Sequence, residues 1–314
     1  MALSGSVNYS INRDEFITEA YKDMGLIRPG GSPTADELTD VANRLNIMIK
    51  AFMADGLQSW VIKRATLIPS LGTQSYSLGT AHCSQTMYKT EVKVAASATD
   101  TSIDVDDTTN MSASDNIGIV TDDGTIHWTT ISSVTDSDTV VISSGLDSAA
   151  AVDNHVYWYT TAINRPNELL EVYRREYDTV TDVPMTRMSR EEYDTLSDKD
   201  QQGTPVNFYY DPQLTTGDLY VWQTADSTFS MNNVFEIRYK KPFDDMDSST
   251  DDFEFPQEWY EALLLGLEAR IARRVGYPGG DYMTLKMDAE KAKMDALSFD
   301  IENTSIFFRP DNEA

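Results

Sequence analysis

Apolar residues between Pro256 and Val275 recur in steps of four: Trp259, Leu263, Leu267, Ile271 and Val275, with Ala262 and Leu264 widening the stripe. That period places them on one face of a helix. Pro256, with its fixed φ and missing N–H, suits the first helical turn, and Glu258 and Glu261 complement the positive end of the helix dipole. Gly276, Tyr277, Pro278, Gly279 and Gly280 stop the run. A second helix is predicted from Asp281, with Tyr282, Leu285, Ala289, Ala292, Ala296 and Phe299 on one face. Residues 253–299 therefore read as a helical hairpin with an apolar seam. Near the other end, Asn12 with Glu15 and Thr34 with Glu37 have the spacing of capping boxes. They open two helices, one carrying Phe16, Ile17, Ala20 and Tyr21, the other Leu38, Val41, Leu45, Met48, Ile49 and Phe52.

The period then changes. Residues 65–71 and 74–78 alternate as strands do. From 84 to 160 the composition shifts to Thr, Ser, Asp and Val, with short strands predicted at 101–105, 116–120, 125–132, 139–143 and 155–160. Asp122-Asp-Gly124 is a hairpin turn between two of them. This block reads as an inserted small β-sandwich or barrel with its own core. Beyond it come a strand at 169–177, a third capping box at Ser189 and Glu192, and a meander of strands at 206–210, 218–222 and 234–240. Six carboxylates between Asp244 and Glu254 lack the ligand order and central Gly of a calcium loop, and read as a solvated linker. The expected class is α+β: a helical body with a β-meander at 1–83 and 161–298, an inserted β-domain at 84–160, and an extended arm at 299–314.

Charge narrows the partners. Fifty-one acidic against 25 basic residues leave a formal net charge of −26, which opposes binding to the outside of nucleic acid or to an anionic membrane surface. It does not exclude a wall that lets DNA slide past without sticking. Cys83 is the single cysteine, so neither an intrachain disulfide nor a cysteine zinc cluster can form. The first residues lack the basic start and apolar core of a signal peptide, and no apolar run is long enough for a membrane span, so a chain made in a cytoplasm is expected. His82, His127 and His155 are scattered without metal-ligand spacing. His82 and Cys83 are sequence neighbours that a strand would turn to opposite faces. There is no phosphate-cradling loop and no nucleophile elbow. The expectation is no enzyme, no cofactor and no metal.

One ordered set of motifs carries a resemblance: Met188-Ser-Arg-Glu-Glu-Tyr193, Gly203-Thr-Pro-Val206 followed by Phe208-Tyr209, the Leu219-Tyr-Val-Trp222 strand, Phe235-Glu-Ile-Arg-Tyr-Lys-Lys-Pro242, and Phe255-Pro256 leading to Glu258-Trp259. Over about 10–80 and 161–298 the chain resembles the head-to-tail adaptors of short-tailed bacteriophages, of the tail tubular protein A and packaged-DNA stabilisation types. The 84–160 block departs from the minimal pattern. The resemblance implies a virion protein at the head–tail junction, assembled in the host cytoplasm as a homo-oligomeric ring, typically of twelve copies. That ring sits beneath the portal protein, extends the channel for double-stranded DNA without binding it tightly, helps retain the genome, and carries the tail nozzle or tail tube and any tail fibres. The hairpin region 256–298 holds 7 acidic and 6 basic residues, a near-neutrality that suits subunits packed side by side. Candidate ring-packing residues are Trp259, Leu263, Leu267, Arg270 and Arg274. The candidate portal-docking segment is Ile306, Phe307, Phe308 and Arg309, an apolar anchor with one cation. Two alternatives remain: a host-surface or glycan-binding protein using Trp128, Tyr157, Trp158 and Tyr159, and, less favoured, a virion enzyme that cleaves peptidoglycan.

Overall fold

The computed structural model describes residues 5, 9–54, 59–176 and 179–299. The protein is mixed α+β, 29% helix and 30% strand, and its four longest helices fall in a different unit from its sheets. One compact unit joins the chain up to Val61 with the chain from Phe243 onward; the other is Ile62–Pro242. Both expected edges of the β-insertion, at 83/84 and 160/161, fall inside the second unit. Among the described residues the α-helices are α1 (Arg13–Asp23), α2 (Ala35–Phe52), α3 (Arg190–Asp194), α4 (Ser227–Asn232), α5 (Tyr260–Val275) and α6 (Gly279–Phe299).

The helical unit follows from its caps and stripes. The Asn12 side chain accepts the Glu15 N–H at 2.9 Å, and Thr34 and Glu37 complete a reciprocal capping box at α2. These bonds satisfy N–H groups that have no partner inside the helix. Phe16, Ile17 and Ala20 of α1, Leu45, Met48 and Ile49 of α2, and Leu263, Leu267 and Ile271 of α5 share one core. Gly266 lets α5 come close to α2, since a Cβ there would lie 2.9 Å from the Met48 sulfur. Gly276 ends α5 in the left-handed conformation, φ 71°. The hairpin forms, but its seam is narrower than its sequence suggests. Val275 and Phe299 are exposed, because each is the last residue of its helix, and α6 fully buries only Ala289 and Ala296. The acidic stretch after Phe243 keeps its carboxylates largely in solvent, as expected, but it is also fastened: the Asn46 amide brackets the Met246 backbone, Arg13 donates to the Asp247 carbonyl at 2.7 Å, and Lys50 pairs with Asp245 at 2.8 Å.

The β-unit contains three larger sheets. In one, the central strands Glu168–Glu176, Asn233–Lys240 and Ile62–Leu67 lie side by side, with Cys83–Ser84 at one edge. In the second, Asn207–Pro212 pairs with Gly217–Trp222 as expected, but the next strand is Ser75–Leu78; the expected meander does not form, because its third strand, Asn233–Lys240, lies in the first sheet between Ile62–Leu67 and Glu168–Glu176. Leu67, Leu169, Phe208, Leu219, Phe235 and Ile237 fill a common core. The third sheet is the insertion, in the order Tyr88–Glu91, His155–Tyr159, Asn116–Val120, Ile126–Val134, Thr139–Ile142 and Ser102–Asp104. It curls until its first and last strands meet, through the Val92–Val105 bridge and the Lys93 N–H donating to the Asp104 carbonyl at 2.9 Å. The predicted turn is present: Gly124 takes φ 83°, and its N–H donates to the Thr121 carbonyl at 3.0 Å. The strand at 88–91 and helix α4, capped by Asp226, have no sequence expectation behind them.

The insertion has its own core of Ile103, Ile117, Ile119, Ile131, Val140 and Val156, among others. It is nevertheless joined to the rest of the unit. Val120 and Tyr157 of the insertion bury against Ile68 and Val234. The chain enters and leaves side by side, with the Ser84 hydroxyl donating to the Thr161 carbonyl at 2.7 Å.

Candidate functional site

The sequence-level candidates separate once placed in the fold. Trp259, Leu263 and Leu267 are interior residues of the helical unit, 2%, 0% and 0% exposed, so no neighbour can pack against them. A periodic stripe reports burial without saying which partner supplies it. Arg274 pairs with Asp40 of α2, and Arg44 lies 3.7 Å from the same carboxylate. Arg270 is half-buried, and burial followed by the nearby Arg44 charge holds its pKa below the usual arginine range. These two arginines lie toward α2, within the subunit. Ile306, Phe307, Phe308 and Arg309 lie outside the described residues.

What the hairpin does present is the other face of α6. Met283, Met287 and Met294 are 54%, 65% and 69% exposed and, at offsets of four and eleven residues, share one stripe. Beside it runs a groove of about 510 Å³ between α5 and α6, lined by Leu265, Ala292 and Phe299 together with Glu258, Glu261 and Asp295. The sequence does carry this signal, as three methionines on the side of α6 away from its alanines. One buried acid stands out in the same unit. Glu268 of α5 is pushed up to about 7, first by burial and then by the Asp23 charge.

The aromatic set offered for glycan stacking is not a surface. Tyr157, Trp158 and Tyr159 are all buried. The Trp128 ring has one face against Gly118, where a Cβ would come within 2.7 Å, and the other stacked on His82 at 3.6 Å with a 2° tilt. Alternation along a strand leaves one face free for sugar only if nothing else covers it. Here the insertion's core takes Trp158, and its junction with the rest of the unit takes Tyr157.

The three histidines have separate environments. His82 Nδ1 meets the Tyr159 hydroxyl at 2.9 Å, and burial holds its pKa down at about 4. His155 lies 3.5 Å from the Glu91 carboxylate. His127 is buried in the insertion, with Nδ1 2.7 Å from Asp147 Oδ2 and Nε2 3.3 Å from Ser144 Oγ. Sequence spacing gives no hint of that last group, because its members come from one strand and the loop after the next. Among the described residues no group of three or more His, Cys, Asp or Glu could hold a metal ion, and no helix is long and apolar enough to cross a membrane. A cavity of about 440 Å³ in the β-unit sets the Arg174 guanidinium among Glu176, Thr181, Thr204 and Asn233, a polar lining of mixed charge. No family model matches the sequence. No curated protein matches it either.

Proposed function

We propose that the chain is a head-to-tail adaptor of a short-tailed bacteriophage, a structural subunit that assembles as a ring beneath a portal and extends its DNA channel. The observation that carries this reading is the methionine stripe of α6. It is an exposed apolar face on a near-neutral hairpin, in a chain whose net charge is −26. Like-charged subunits repel, so copies that must pack closely do so best through a surface with few net charges. Unbranched methionines fit themselves to a neighbour's surface. The ring contact moves accordingly from the buried stripe of α5 to Met283, Met287 and Met294. The acidic remainder suits a channel that DNA traverses without adhering.

Electron microscopy of the purified chain, alone and with the portal protein of the same virus, tests this directly. Rings seated on portals are expected. A Met287→Glu, Met294→Glu variant should remain folded as a monomer and fail to form them. A wild-type chain that stays monomeric in the presence of portal overturns the reading.

A further inference from the structure

We propose that Ser144, His127 and Asp147 form a nucleophilic relay on the inserted β-domain that takes short acyl groups from esters. The geometry runs in one direction. An ionised carboxylate can only accept, so the 2.7 Å contact of Asp147 Oδ2 with His127 Nδ1 puts the ring proton on Nδ1. Nε2 is left with its lone pair toward Ser144 Oγ, 3.3 Å away. This is the base–nucleophile–orienter arrangement that raises the reactivity of a serine hydroxyl. The parts are held from different segments. His127 and Thr129 lie two apart on one strand and therefore share a face. Thr129 Oγ1 accepts the Ser144 hydroxyl at 2.8 Å, so that proton must turn from Thr129 to His127 Nε2 before Oγ can attack, while Asp147 follows Ser144 by three residues in the loop after Thr139–Ile142. His127 is 6% exposed, which fixes its ring, whereas Ser144 and Asp147 are open to solvent.

The loop also supplies donors. Neither the Ser144 nor the Gly145 backbone N–H is engaged by an acceptor among the described residues. A Cβ at Gly145 would lie 2.4 Å from the Thr99 carbonyl oxygen, so only glycine lets the chain pass there directly after the nucleophile. The amide of the residue after a nucleophilic serine is a common donor to the oxyanion of an acyl-transfer intermediate.

The reaction balances with water alone. Ser144 Oγ bonds to the ester carbonyl carbon as its proton moves to His127 Nε2. The carbon–alkoxide bond breaks, and the leaving oxygen takes that proton. Water repeats the sequence on the acyl-serine, returning the hydroxyl and releasing a carboxylic acid. An open site suits a small acyl group displayed on a bulky carrier, such as an acetyl ester of a polymer.

The test uses the full chain. Incubation with a fluorophosphonate probe and peptide mapping should find one adduct, on Ser144. Hydrolysis of p-nitrophenyl acetate should be lost in proportion to labelling. Asp147→Asn changes an exposed residue and should leave the melt intact while slowing labelling about tenfold; His127→Gln should slow it about 100-fold or more. Because His127 is buried, a second variant guards against misfolding. Ser144→Cys should react with iodoacetamide faster when His127 is intact than when it is combined with His127→Gln, and the other thiol, Cys83, is buried and silent. Absence of an adduct on Ser144, or equal rates in the wild type and both His127 and Asp147 variants, overturns the proposal. Neither result bears on ring assembly, which is read by microscopy.

Discussion

Replacing His82 with Gln separates what the imidazole contributes as a stacked, neutral ring from what it forfeits in acid. The ring stacks on Trp128 at 3.6 Å and meets the Tyr159 hydroxyl at 2.9 Å, and burial lowers its pKa from 6.5 to about 4. The unfolded chain therefore binds a proton between those two values that the native ring refuses. Protons favour the unfolded state across that window, so the stability linked to this site is present above about pH 6.5 and is lost as pH falls toward 4. At about pH 4.5 the full loss would be about 2.5 kcal/mol, and solvent reaching part of the ring reduces it to about 1 kcal/mol. At pH 7.5 the Gln variant should be weaker than wild type by about 1–2 kcal/mol, from the lost stack and hydrogen bond. At about pH 4.5 that deficit should shrink by about 1 kcal/mol, because Gln has no proton to take up. Urea melts of both proteins at the two pH values give the double difference, and carboxylates common to both cancel. A deficit that is the same at both pH values would refute the reasoning.

Other substitutions test other parts of the fold. Glu268→Gln should stabilise the helical unit by about 1–2 kcal/mol at pH 8 and by much less at pH 5. The sign is opposite to that of His82: a carboxyl whose folded pKa is raised to about 7 loses stability as pH climbs through the window above 4.5, and melts at the two pH values would show it. Gly118→Ala drives a methyl into the Trp128 ring and should cost about 1–3 kcal/mol in a chemical melt. Thr34→Ala removes one half of the α2 capping box and should cost about 1 kcal/mol, read from the same kind of melt. Replacing residues 84–160 with a Gly/Ser linker should leave a folded protein with a lowered melt, since uncovering Ile68 and Val234 costs about 3–5 kcal/mol; an unchanged melt would show that the junction contributes nothing.

Local rules carry a sequence reading furthest. Capping boxes at Thr34 and Ser189 and the four-residue stripe of α5 depend on near neighbours, and each appears in the structure. The glycine turn at 124 is legible for the same reason: few residues other than Gly adopt its φ comfortably. The misreadings share a cause. In sequence the α5 stripe offers ring-packing residues and the Tyr157 to Tyr159 run offers glycan-stacking rings, and the acidic linker, although solvated as expected, is also tied down; in each case a segment far away in sequence decides the outcome. Leu267 is covered by the N-terminal helices, Tyr157 by Ile68 and Val234, and the linker is held by Asn46 and Arg13. The Ser144–His127–Asp147 contact is hidden likewise, because strand pairing and not spacing brings its members together.

The helical unit is built from both ends of the chain, and this fixes an order of events during synthesis. When α1 and α2 leave the ribosome, the face that packs against Leu263 and Leu267 does not yet exist. The 181 residues from Ile62 to Pro242 must be made first. At about 5–20 residues per second that is a delay of about 10–35 seconds, during which the β-unit has time to fold alone. The N-terminal pair meanwhile lacks the α5 cover for Leu45, Met48 and Ile49. A nascent chain of this design leaves that face uncovered for longer the more slowly its middle is translated. Synonymous codons placed between Ile62 and Pro242 would alter the yield of soluble protein without changing one residue of it.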